Sequence, residues 1–178
     1  MELRPLAERC ILGFGSTAGP PMLPVLYNNL KRIVQTDRHV MILTEMVHDA
    51  RLIRLNSEHQ PSHIRSWMGD SIGRWDGDTL VVDTTNFVSN PALNGADENL
   101  RVIERFKKQS DGSLHYSFRV EDPTVWRSAW EGDFPWPLTD AKVYEYACHE
   151  GNYALGNIMR GARLLEADIQ KEAPVSEG

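Results

Sequence analysis

Only two cysteines occur in the 178 residues, Cys10 and Cys148. Two thiolates cannot by themselves make the four-ligand site that structural zinc needs. They fit either a bridge closing a very long loop or two unrelated buried thiols. A bridge over that span would stabilise the fold by roughly 4–5 kcal/mol in the chain-entropy model. Positive charge is also in short supply: 19 Lys and Arg against 25 Asp and Glu leave a net charge of -6. That balance argues against a nucleic-acid partner, whose phosphates call for a basic surface. No apolar run approaches the ~20 residues of a membrane span. The opening "MELRPLAERC" carries charges but no apolar core, so it does not read as a signal peptide. No HxH or HExxH spacing and no Gly-Lys-Ser/Thr after the glycine-rich stretch appears, which removes the zincin helix and the phosphate loop. There is no βαβ rhythm and no internal repeat.

What is present is ordinary globular composition, 41% hydrophobic and 25% charged, in a chain long enough for one real core. Residues 1–26 read as an irregular segment, because "GFGSTAGPPMLPV" alternates glycines and prolines that forbid regular structure. Its Phe14, Met22, Leu23 and Val25 suit it to packing on something. From Tyr27 to Asn152 short runs of branched residues alternate with tight turns: "NLKRIVQT", "HVMILTE", "ARLIRLN", "IGRW", "TLVVDTTNF", "NLRVIERFKK", "SLHYSFRVED" and, last, "KVYEYACHE". Short connections make antiparallel neighbours. The pattern predicts an all-β fold, an antiparallel up-and-down barrel of lipocalin type over 27–152. Over 153–178, Leu155, Ile158, Met159, Ala162 and Leu165 recur at helical spacing with Asn152 placed to cap, which predicts a C-terminal helix and a tail.

The inward residues carry the functional question. On "LRVIERF" the face with Leu100, Val102 and Phe106 also holds Glu104, and a carboxylate on an apolar face needs a partner. Arg51 is the cation best suited to meet it, since its guanidinium pairs carboxylates bidentately. The pair reads equally as a structural ion pair or as a ligand contact with a perturbed pKa. Glu45 shares a face with Met41 and Leu43. Glu145 and His149 share one with Val143 and Ala147. His48 and Asp49 sit in "MVHD", a hairpin turn or a strand end at the rim of a cavity. Trp67 and Trp75 offer either packing or an aromatic wall for a sugar or a flat apolar ligand.

The blocks "GDSIGRWDGDTLVVDTTNF", "NLRVIERF", "DPTVWRSAW" and "YEYACHEGN" resemble a large group of uncharacterised bacterial proteins, mostly secreted, that share W-G-S-GRW-GDTLVV-T-F, ERF and EY-C-E blocks. The resemblance spans nearly the whole chain, on Trp67 to Phe87, Leu100 to Phe106, Asp122 to Trp130 and Glu145 to Glu150. It implies a periplasmic or secreted setting for the longer members and, with it, a Cys10–Cys148 disulfide. It brings no known activity.

Two main readings follow. One is a small-molecule enzyme without an organic cofactor, a lyase, isomerase or hydrolase working by acid–base chemistry in a barrel mouth. His48, Glu104, His149 and Glu145 would move protons. Tyr27, Asn29, Glu45, Asp49, Arg51, Trp67 and Trp75 would hold the substrate. The other is a non-catalytic, lipocalin-like binding protein using the same groups. A divalent-metal enzyme built on His and carboxylates is a third reading, although no ligand spacing supports a metal site. The expected partner is a small ligand, a sugar or an aromatic, with neither nucleic acid nor membrane involved and a homodimer left open.

Overall fold

The computed structural model describes residues 6–16, 19–91, 93 and 95–172. Eight strands form one sheet in chain order: β1 (Lys31–Gln35), β2 (His39–Thr44), β3 (Ala50–Leu55), β4 (Asp70–Asp76), β5 (Thr79–Thr85), β6 (Arg101–Lys108), β7 (Leu114–Glu121) and β8 (Trp130–Trp136). The sheet curls into a half-barrel, and a single helix, α1 (Tyr153–Glu172), follows it. The chain divides into two compact units, Met1–Tyr146 with the sheet and Ala147–Gly178 with the helix. The Leu155 N–H donates to Asn152 Oδ1 at 3.2 Å, the predicted cap of α1. The tail expected after the helix lies outside the described residues from 173 on.

Alternation builds the sheet. On β7 the inward Tyr116, Phe118 and Val120 are buried while His115 and Arg119 face solvent. On β6 the buried set is Val102, Glu104 and Phe106. On β2 it is Val40, Ile42 and Thr44. Seven of the eight predicted runs become strands. The exception is "KVYEYACHE": residues 142–150 hold no strand, and the eighth strand is the earlier "WEGDFPW". That run keeps period two around its glycine and proline, with Trp130, Phe134 and Trp136 alternating with Glu131 and Asp133. Gly132 permits the close approach, because a Cβ there would stand 2.7 Å from the Phe118 ring.

One step departs from the up-and-down pattern. β3 and β4 run parallel, with Ile53 beside Ser71 and Leu55 beside Gly73, joined by a crossover over 56–69. A side chain at Gly73 would meet Ile53 at 2.8 Å, so glycine lets the crossover strand seat. A single parallel step among antiparallel ones reverses direction once fewer. β1 and β8 therefore run the same way rather than opposite ways. They are not hydrogen-bonded to each other, and the sheet stays open between them.

The concave face is filled by the sheet's own apolar residues and by the N-terminal segment. Met22 is 1% exposed and belongs to the same cluster as Val40, Ile53, Val82 and Phe87. Rings from β6, β7 and β8 pack in tilted and edge-on pairs, among them Phe106–Tyr116 and Phe118–Trp130.

Neither cysteine is free, and with two in the chain the disulfide joins Cys10 to Cys148. Denatured, unreduced protein should accordingly titrate no thiol with Ellman's reagent. Reduction should lower the unfolding free energy by roughly 4–5 kcal/mol in urea melts if the loop-closure model holds.

Candidate functional site

The predicted Arg51–Glu104 pair forms at the centre of the concave face, with Arg51 3% and Glu104 0% exposed. Both terminal nitrogens of Arg51 donate to the carboxylate, one of them at 3.0 Å to Oε1. Nε donates to Ser71 Oγ at 3.0 Å and Nη2 to Thr84 Oγ1 at 2.8 Å. Ser71 and Thr84 also bond each other, at 3.0 Å. From the far side the Tyr116 hydroxyl donates to Glu104 Oε1 at 2.8 Å and accepts the Met22 N–H at 2.8 Å. Burial, and then the Glu104 charge, hold the Tyr116 hydroxyl well above its usual pKa, so it stays a donor. The pair is closed on itself: its charges are matched, and each carboxylate oxygen accepts a donor from Arg51. It is a framework for the sheet.

The hydrogen-bond network spans β3 to β7, and ring and ladder contacts flank it on either side. Thr44 of β2 lies opposite Lys31 of β1 in the ladder. At the other end Trp136 of β8 stacks on Tyr116, ring centroids 4.8 Å apart. The Lys31 ammonium lies over the Trp136 ring, 5.3 Å from its centroid. This contact joins the start of β1 to the end of β8. Two co-directional strands meeting that way overlap only at those ends, which leaves the rest of β1 without a neighbour on that side. Ile33, inward by register, is accordingly 40% exposed.

Lys31 was not legible as a site residue. Among the described residues it has no ion pair and no hydrogen bond, and burial lowers its ammonium to about 8. Several other polar groups gather near the start of β1 and the end of β2. Thr44 Oγ1 is buried and unpartnered. Glu45, 5% exposed, accepts the Tyr144 N–H at 3.1 Å. The Tyr27 and Tyr146 hydroxyls are hydrogen-bonded, and burial, with that bond, raises the Tyr146 pKa.

Asp49 belongs to the same end. Its backbone oxygen accepts the Thr44 N–H at 2.8 Å, and its carboxylate accepts the Gly13 N–H. Desolvation raises its pKa to about 6 against that bond and the nearby His48, and Oδ2 is buried with no partner. His48 itself is exposed in a short 3-10 turn, Met46–His48, at positive φ of 44°. No hydrogen bond or ion pair links it to Glu104 or Arg51 among the described residues.

The other predicted residues are placed elsewhere. Asn29 brackets a loop, bonding both the N–H and the C=O of Val25 at 2.9 and 2.6 Å. Trp67 and Trp75 are 38% and 46% exposed and outside the aromatic cluster, whose tryptophans are Trp126, Trp130 and Trp136. Glu145 and His149, expected to point inward from a last strand, are exposed in a stretch without one. A strand there would need an edge to pair with, and β8 presents one that carries Pro135.

The convex face is a surface of matched charges. A hollow over β6–β8 is lined by Arg105, His115, Ser117, Arg119, Glu131 and Asp133. His115 pairs with Asp133 at 3.0 Å, Arg119 with Glu131 at 2.7 Å and Arg105 with Asp76 at 2.9 Å. Such exposed pairs are individually weak and screened by solvent, and they give the hollow no buried charge to fix a ligand.

The fold and site define an all-β half-barrel with a polar belt inside and, at its seam, a half-buried lysine that forms no ion pair among the described residues. No family model, curated protein or solved structure matches the chain.

Two outcomes follow. Removing one member of the buried pair strands the other, so Glu104→Gln should cost about 3–5 kcal/mol in chemical denaturation. A double change, Arg51→Met with Glu104→Leu, should recover much of that loss. Asp49 gives a pH signature. Its folded pKa lies above its unfolded one, so the folded state binds the proton more tightly. Its contribution favours folding below the unfolded pKa and is lost as pH rises through about 6. Unfolding free energy in Asp49→Asn should lack that decline when both proteins are melted across the same pH series.

Proposed function

We propose that the protein binds small molecules carrying an anionic group on an aromatic or apolar body, at the end of the half-barrel where Lys31 meets Trp136. The observation that carries this reading is the Lys31 ammonium on the indole face. Among the described residues no carboxylate forms an ion pair with this ammonium, so an anion from outside can match it, and partial burial strengthens such a pairing. Trp136 and Phe134, both partly buried on the edge strand, supply an apolar surface for the ligand body. The Arg51–Glu104 pair supports binding over chemistry, because its fully buried carboxylate is already engaged by three donors, two from Arg51 and one from Tyr116.

Acid–base catalysis without an organic cofactor is the second reading, and Asp49 favours it. A carboxylate titrating at about 6 with one oxygen unpartnered is a suitable general base. The bonded cysteines and the resemblance to mostly secreted bacterial proteins support a periplasmic or secreted location.

The test is calorimetric titration with benzoate, 4-hydroxybenzoate and neutral benzamide. The acids should bind, and Lys31→Met should weaken them at least tenfold, about 1.4 kcal/mol, without changing benzamide. Equal affinity of wild type and Lys31→Met for the acids would refute the reading. For the catalytic alternative, deuterium incorporation beside the carbonyl of phenylpyruvate should be seen by NMR and vanish in Asp49→Asn.

A further inference from the structure

We infer that the protein forms a two-fold dimer by pairing β1 with β1 of a second copy, edge to edge. The β1–β2 ladder sets which backbone groups of β1 are free. Glu45 N–H donates to the Leu30 carbonyl and Thr36 N–H to the His39 carbonyl. In an antiparallel ladder hydrogen-bonded pairs alternate along the strand. Leu30, Arg32, Val34 and Thr36 therefore turn their backbone groups toward β2. Lys31, Ile33 and Gln35 turn theirs outward, to the open edge.

Those three residues are self-complementary. A two-fold axis at Ile33 sets Ile33 against Ile33 and Lys31 against Gln35 of the second copy, each a hydrogen-bonded pair. Every outward donor then meets an outward acceptor. Both cations face neutral residues, Lys31 facing Gln35 and Arg32 facing Val34, so no like charges oppose. Four of the five residues of β1 are exposed. On the convex side Val34, Met41 and Leu52 lie in one cross-strand line, with Val34 44% and Leu52 55% exposed. The partner's Arg32 stem would extend over that line.

The choice of a second β1 rests on the contrast between the two edges. β8 is protected, since Pro135 lacks an N–H and Glu131 and Asp133 would repel an acidic twin. β1 has neither proline nor acid. An isologous pair closes at two copies, whereas β1 joining β8 is a head-to-tail contact that leads to a ring or a filament.

The test is sedimentation equilibrium of the full, disulfide-intact chain between about 1 and 100 µM. Wild type should approach twice the 20.2 kDa of one chain. Ile33→Pro removes only an outward N–H and spares the β1–β2 ladder. Ile33→Lys sets two ammonium groups face to face on the axis. Each should raise the dimer dissociation constant at least tenfold, and the far-UV spectrum of Ile33→Lys should be native. Wild type that stays at one-chain mass at the highest concentration, or a dimer undiminished by Ile33→Lys, would overturn the inference.

Discussion

Two opposite charges sealed inside a sheet must meet, and the place where Arg51 and Glu104 meet governs how the strands are threaded. Shifting β3 or β6 by one residue would turn one of them to solvent and leave the other buried alone, a loss of several kcal/mol. Apolar side chains tolerate such a slip far better, because hydrophobic contact has no direction. Ser71 and Thr84 extend the constraint to β4 and β5, and Tyr116 extends it to β7. The polar belt thus contributes uniqueness more than stability. An apolar replacement of the pair could match its energy without specifying one register.

The parallel step between β3 and β4 has the opposite effect and withholds closure. It sets the first and last strands in the same direction and offset, so they touch through Lys31 and Trp136 instead of a ladder. An opening in an otherwise packed half-barrel is where a ligand body can enter and where a strand edge can remain unpaired. The proposed ligand site and the proposed dimer edge are both consequences of that one crossover.

Much of this was legible in the chain. Parity on "LRVIERF" turned Glu104 inward, and Arg51 was the cation able to meet it. Whether the pair was structural or functional depended on Ser71, Thr84 and Tyr116, whose hydroxyls look neutral in a strand pattern until their partners are known. The eighth strand was misplaced because Gly132 and Pro135 look like breakers, although an edge strand admits both. "KVYEYACHE" alternates well, but alternation alone makes no strand, and the run pairs with neither open edge of the sheet. Lys31 was hidden because both faces of "KRIVQ" mix apolar and polar residues, so its inward parity could not be chosen. The direction of β4 lay in the crossover over 56–69, whose polar residues carry no sign of it.

The bond from the Met22 N–H to the Tyr116 hydroxyl spans 94 residues of chain. It has a temporal consequence. During synthesis the segment around Met22 leaves the ribosome long before β7 exists. Its amide stays hydrated until the strands that form its slot have been made and paired. The earliest part of the polypeptide is therefore among the last to settle. Contacts of such long sequence separation slow folding, since a large loop must close before they contribute anything.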